Sequence, residues 1–153
     1  MDNAVFENHG IVDKYLGNGF LAVFGAPVPN TRDTDNAISI ALEMKKSVEM
    51  VSSHFLRETG IPLVISISIH TGDVVIGNIG FEKKMDYTVI SDSLNTAFRL
   101  QNIVKSIPNG ILISEDTRRA AQSSLFVEEF GEFEIDSTIG RLKVFELLGQ
   151  SKA

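Results

Sequence analysis

The changes of hydrophobic period along the chain mark out its elements. Two apolar runs, residues 11–16 and 20–24, are joined by Gly17-Asn18-Gly19. An Asn-Gly pair between β-prone runs signals a hairpin, because both residues tolerate the positive φ of a type I′ turn. Asn18 is therefore expected at a turn tip. Gly25-Ala26-Pro27 then breaks the sheet, and a polar loop runs to Asp35. Beyond it Ala37, Ala41, Met44, Val48, Val51 and Phe55 recur at spacings of four and three. That spacing draws one apolar stripe down a long helix ending near Gly60, with about 1.5–3 kcal/mol for each larger side chain buried.

From Leu63 to His70 the pattern changes to alternation. Leu63, Ile65, Ile67 and Ile69 fall on one face and Val64, Ser66, Ser68 and His70 on the other, as in a strand with one firmly buried side. Gly72-Asp73 turns the chain into a strand at 74–79, and a polar connection at 80–84 leads to another at 86–90. A helix follows, capped by Ser91 or Asp92, with Leu94, Phe98, Gln101, Ala97 and Val104 expected on its inward face. Residues 111–113 read as a short buried strand and Ser114 as the cap of a short helix ending near Ser123. Residues 126–135 and 142–148 close the chain as a strand pair. Residues 1–9 suit the last turns of a helix stopped by Gly10, too short to stand alone. There is no internal repeat. Strands interrupted by single helices, with hairpins among them, indicate an α+β domain with a mainly antiparallel sheet.

Composition narrows the class. A chain of 153 residues with 43% hydrophobic content suits one domain around one core, residues 1–153. The formal net charge is −6 and no Lys/Arg-rich run stands out, which argues against a nucleic-acid partner. No apolar run reaches the roughly 20 residues of a membrane span, and the N-terminus lacks a signal peptide's basic and apolar regions. The segment is expected in the cytoplasm, without membrane contact of its own. Absence of cysteine excludes disulfides and thiolate metal sites.

Few side chains stand out as chemistry. Lys14 lies four residues before Asn18 in an extended segment, so the two share a side, and a solvated edge lysine is the plain alternative. Asn95 and Arg99 are four apart on the helix, one turn and one face. An arginine there can hold a phosphate bidentately or pair with a carboxylate. Asp33 and Asp35 suit the start of a helix. His9, His54 and His70 are too scattered for a metal cluster or triad, and His54 is expected on the helix flank.

The hairpin GIVDKYLGNGFLAVFGAP, the phrase HTGDVVIGNIG at 70–80 and DYTVISDSLNTAFRL at 86–100 together resemble the class III nucleotidyl cyclase catalytic domain, in the same order, over about Val5 to Leu148. The resemblance implies a ferredoxin-like βαββαβ core with a C-terminal extension, lacking its first strand and helix. It implies cyclisation of ATP to cyclic AMP and pyrophosphate, with two divalent ions, Mg2+ or Mn2+, and an active site shared between two domains of a homodimer or heterodimer. By the same resemblance Lys14 and Thr88 select adenine, Asn95 orients the ribose and Arg99 holds the triphosphate. Asn18 replaces a metal-binding Asp, and the second metal Asp would lie in the absent first strand. A neutral amide in place of a carboxylate removes roughly 4 kcal/mol of attraction at 4 Å. Ser91 stands where the family has Gly. A further triphosphate lysine would fall between Asp136 and Gly140, where there is none, leaving Arg141 or Lys143 as substitutes if the loop shortened. The alternative is a catalytically inactive pseudo-cyclase acting as a nucleotide-binding or dimerising module.

Overall fold

The computed structural model describes residues 10–16, 19–25, 29–73, 75–79, 86–90, 92–136 and 140–151. The first hairpin forms as expected: β1 (Gly10–Leu16) pairs antiparallel with β2 (Gly19–Phe24), and the Leu16–Gly19 pairing leaves Gly17 and Asn18 as its connection. The pairing shifts by one residue between Val12 and Lys14, a β-bulge that the uniform apolar pattern did not announce.

Helix α1 (Asp33–Thr59) begins with two acidic residues in its first turn, favourable against the positive end of the helix dipole. It ends at Gly60, whose left-handed backbone (φ 73°) lets its N–H donate to Leu56 O at 2.8 Å. Only its first half is core. Ile38, Ile40, Ala41, Met44 and Val48 are buried, whereas Val51 is 50% and Met50 74% exposed. The expected stripe therefore breaks at Val51, and Phe55 beyond it is half-buried. A 27-residue helix is about 40 Å long, and a six-residue strand such as β2 spans about 20 Å, so the helix outruns its support. His54 is solvent-facing, 4.0 Å from Glu58, rather than packed on the flank.

The central sheet has the order β3 (Ile67–Ile69), β6 (Ile111–Ser114), β8 (Gly140–Gln150), β7 (Leu125–Asp136). β3 and β6 are parallel; the other pairs are antiparallel. The strand expected over 63–70 is only three residues long, because β6 begins opposite Ile67. Upstream, the chain faces a turn: Ile65 N–H donates to the Asn109 side chain and Ile67 N–H to Gly110 O. β4 (Val75–Ile79) and β5 (Asp86–Ile90) form a separate antiparallel hairpin.

Both faces of the sheet are covered. Ile111, Ile113, Phe145 and Leu147 pack with Ile38 and Ala41 of α1. Leu112, Leu142, Val144 and Ile135 pack with Leu100 and Val104 of helix α2 (Asp92–Val104). This corrects the inward face of α2: Thr96, Leu100 and Val104 are buried, and Leu94, Ala97, Phe98 and Gln101 only half-buried. Val104 is inward as expected, while Thr96 and Leu100 take the places expected of Leu94, Ala97, Phe98 and Gln101. Gln101 instead accepts from Ser68 Oγ (2.8 Å) and donates to Ser66 O. Ser114 caps the short helix α3 (Glu115–Ala120), its Oγ accepting from Thr117 N–H.

Asp35, 2% exposed, ties three distant segments together. Its carboxylate accepts from the N–H groups of Gln122 and Ser123 and, at 2.7 Å, from Ser123 Oγ. Gln150, at the end of β8, donates to Ser123 Oγ and to Asp35 O, and accepts from Ser39 Oγ. Burial alone would raise the carboxyl pKa, but the hydrogen bonds from Ser123 and Gln122, with Arg32 nearby, together bring it below its ordinary 3.8.

Two expectations follow. Met44→Ala should cost about 2–5 kcal/mol in urea unfolding and Val51→Ala within about 0.5 kcal/mol, since only the first leaves a cavity. Asp35→Asn should cost about 3 kcal/mol at pH 7, by weakening charge-assisted bonds and setting an amide against buried donors. The unfolded chain protonates Asp35 at a higher pH than the folded one, so the parent loses this stabilisation as pH falls through about 4 and below. The parent–variant gap in urea midpoint should therefore narrow between pH 7 and pH 3.

Candidate functional site

The elements carrying the expected site residues are all present. β1 places Lys14 opposite Leu21, just past the bulge, and β5 places Thr88 opposite Gly77 of β4. β1 and β5 approach within 8 Å between Cα atoms, which makes the strands bearing Lys14 and Thr88 neighbours. The side chains of Lys14 and Thr88, and Asn18 and Ser91 altogether, lie outside the described residues.

α2 supplies the other pair. Asn95 and Arg99 are both exposed, one position before the buried Thr96 and Leu100 respectively. The inward row is thus anchored in the core while the row beside it is presented to solvent. The Arg99 guanidinium donates through Nη2 to Glu134 O of β7 at 3.1 Å. A neutral carbonyl is its recorded partner, not a carboxylate, so the guanidinium keeps its charge uncompensated by that contact.

The two fallback cations do not join it. Arg141 and Lys143 alternate along β8 with Leu142 and Val144, which pack on α2. Their side chains therefore emerge on the opposite sheet face, across from Glu134 and Glu132. Asp136 pairs with Gly140 at the end of the β7–β8 ladder, and Arg141 pairs within it with Glu134.

Metal ligation was tested on the donors present. Among the described residues no group of three or more His, Asp and Glu side chains converges as a ligand set. Asp35 is buried and committed to Gln122 and Ser123, and Asp33 Oδ2 accepts from Asn30 N–H at 2.6 Å. Both aspartates are helix-start residues, as the sequence suggested. Among the described residues, then, the carboxylates at the start of α1 are engaged in structural bonds and do not form the carboxylate set that divalent ions such as Mg2+ bind.

One polar cluster was not foreseen. His70 Nδ1 is hydrogen-bonded to Ser114 Oγ at 2.8 Å. Thr71 and Thr117 hydroxyls meet at 3.0 Å, and Thr117 Oγ1 donates to Ile69 O. Ser93 Oγ, in the first turn of α2, donates to Asp73 O at 3.0 Å. Burial pushes the His70 pKa below its ordinary value, against the opposing pull of Asp116. The sequence carried these residues in the phrase HTGD, but nothing local reveals that Ser114, 44 residues later, sits against His70.

Comparison with known proteins bears on the whole arrangement. Residues 1–149 match the family model of the adenylate and guanylate cyclase catalytic domain. An adenylate cyclase of Anabaena cylindrica is 34% identical over 123 residues, which is 78% of this chain and 24% of that protein. The chain spans about a quarter or less of the length of the curated relatives it matches most strongly. Among solved structures, the guanylyl cyclase Cya2 superposes with a TM-score of 0.86 at 27% identity, covering 98% of this chain and 75% of that one. The adenylyl cyclase CyaB from P. aeruginosa superposes with a TM-score of 0.82 at 21% identity, covering 98% and 77%, a likeness of fold. The mixed α+β architecture, the hairpins and α2 are those of this fold, and the chain belongs to the adenylate and guanylate cyclase catalytic domain family.

Proposed function

We propose that this chain is the substrate side of a class III cyclase site: it binds ATP and, in a dimer, takes part in forming cyclic AMP and pyrophosphate. The observation that carries the reading is α2, whose core-anchored row holds Asn95 and Arg99 exposed on one face. An exposed guanidinium that, among the described residues, meets a carbonyl and no carboxylate is available to a triphosphate, where bidentate contacts are strong. Asn95, one turn nearer the helix start, is placed to orient the ribose so that its 3′-oxygen lines up on the α-phosphate. Lys14 donates to a ring nitrogen of adenine and Thr88 accepts from its exocyclic amino group. This pair favours ATP, although the family and the relatives include both adenylate and guanylate cyclases.

The metal half is read as impaired in this chain. Mg2+ or Mn2+ would supply polarisation of the α-phosphate and charge for the departing pyrophosphate. Among the described residues no carboxylate set fits them, and Asn18 offers only a neutral oxygen. A partner domain that keeps its carboxylates, in a homodimer or heterodimer, would complete the site. Tyr15, 66% exposed on the first hairpin, is the kind of aromatic a partner surface covers.

The second reading, a pseudo-cyclase that binds nucleotide without turnover, is favoured by one observation: Arg141 and Lys143 emerge on the face away from α2. Arg99 would then hold the triphosphate without a second cation from β8.

In the full-length protein, Asn18→Asp should raise cyclic AMP formation from ATP with manganese at least about 100-fold over the parent, since each well-placed charge is worth several kcal/mol. Equal rates in parent and variant would contradict impairment. ATP binding without turnover in both would support the pseudo-cyclase. In the Asn18→Asp background, Arg99→Ala should lower kcat by about 10²–10³. The melting temperature should change little, because the side chain is exposed and, among the described residues, donates to one carbonyl.

A further inference from the structure

We infer that Gly72 is a positioning residue for the nucleotide site: through its contact with Ser93 it sets the start of α2 and so the placement of Asn95. The inference rests on the nucleotide-binding reading of α2.

The space around Gly72 carries the argument. Its backbone φ is not in the left-handed region, so glycine is not required there for conformation. It is required for room. A Cβ at this position would run into Ser93 Oγ, would lie 3.1 Å from Ser93 Cβ, and would lie 3.3 Å from His70 Nε2. Turning the Ser93 hydroxyl away would not free the site, because Ser93 Cβ remains at that distance and the bond from Ser93 Oγ to Asp73 O would be lost.

The loop cannot retreat in the other direction. His70, on its far side, is bonded to Ser114 Oγ at 2.8 Å, and Ser114 is fully buried at the end of β6. Thr71 is bonded to Thr117, which is also fully buried and reaches back to Ile69 O. His70 and Thr71 are thereby tied to the buried Ser114 and Thr117 of the core sheet and α3. The far part of α2 is fixed as well, through Leu100 and Val104 in the core. A group inserted at Gly72 therefore pushes on the first turn of α2, where Ser93 meets Asp73 O. Asn95 lies two residues beyond Ser93, between it and the buried Thr96, whereas Arg99 lies six beyond Ser93. Displacement at Gly72 should disturb Asn95 more than Arg99. Positional errors of about 1 Å at such groups weaken function strongly.

The test uses the full-length protein and three variants: Gly72→Ala, Ser93→Gly, and both together. Ser93→Gly removes the Oγ and the Cβ that the new methyl would meet, so it should rescue the first change. Amide hydrogen exchange of residues 92–96 and ATP affinity with manganese, by calorimetry, are read in parallel. Gly72→Ala should speed exchange in that turn at least tenfold and weaken ATP binding about tenfold, with exchange in β6 unchanged. The double variant should return both readouts to within about twofold of Ser93→Gly alone. A general loss of stability would not be rescued in this way. The inference is overturned if Gly72→Ala leaves exchange at 92–96 as in the parent, or if the double variant stays as impaired as Gly72→Ala. If the parent binds no ATP, the nucleotide reading fails, and with it the role given to Asn95, while exchange at 92–96 still shows whether Gly72 sets the helix start.

Discussion

Everything in this fold is referred to β6, four residues buried on both sides. Ile111 and Ile113 face α1, Leu112 faces α2, and Ser114 ends the strand as the cap of α3. A strand with no solvent face has no choice of register, because a slip by one residue would exchange the sides of every side chain. β3 is placed parallel to it, β8 antiparallel, and the two helices are laid on opposite faces. The proposed site inherits this: α2 can present Asn95 and Arg99 in a defined direction only because Leu100 and Val104 are locked against Leu112 and Val144.

Much of this was legible in the residues. The first hairpin follows from its Asn-Gly connection, β6 from its unbroken apolar run, and the ends of α1 from Asp33 and Gly60. What failed to show were limits imposed from a distance. Alternation continues through Leu63 and Ile65, but the strand does not, since its partner has already turned at Asn109. The apolar stripe of α1 continues through Val51, but that side chain is half exposed. Periodicity describes a face and says nothing about whether anything lies opposite.

The candidate site divides in the same manner. Lys14, Thr88, Asn95 and Arg99 were picked out by their place in a familiar order of residues, and the strands and helix that carry them stand where that order requires. The contacts around Asp35 and His70 could not be read in advance. Asp35 meets Ser123 88 positions later, and His70 meets Ser114 44 positions later. Such pairs have no local signature, for each residue alone would be a helix-start acid or a strand-end histidine. Buried polar groups of this kind are costly unless every member finds a partner, so they fix geometry more strictly than apolar packing does.

β7 is a 12-residue strand at the edge of the four-stranded sheet, and Glu128, Glu129, Glu132 and Glu134 stand exposed along it. A long unpaired edge invites another chain to extend the sheet. Carboxylates set this densely make such an addition repulsive as long as they are ionised. Phe126 and Phe130, also exposed on this strand, can then remain at the surface without nucleating assembly. The acidity that counted against nucleic acid thus acts as colloidal insurance.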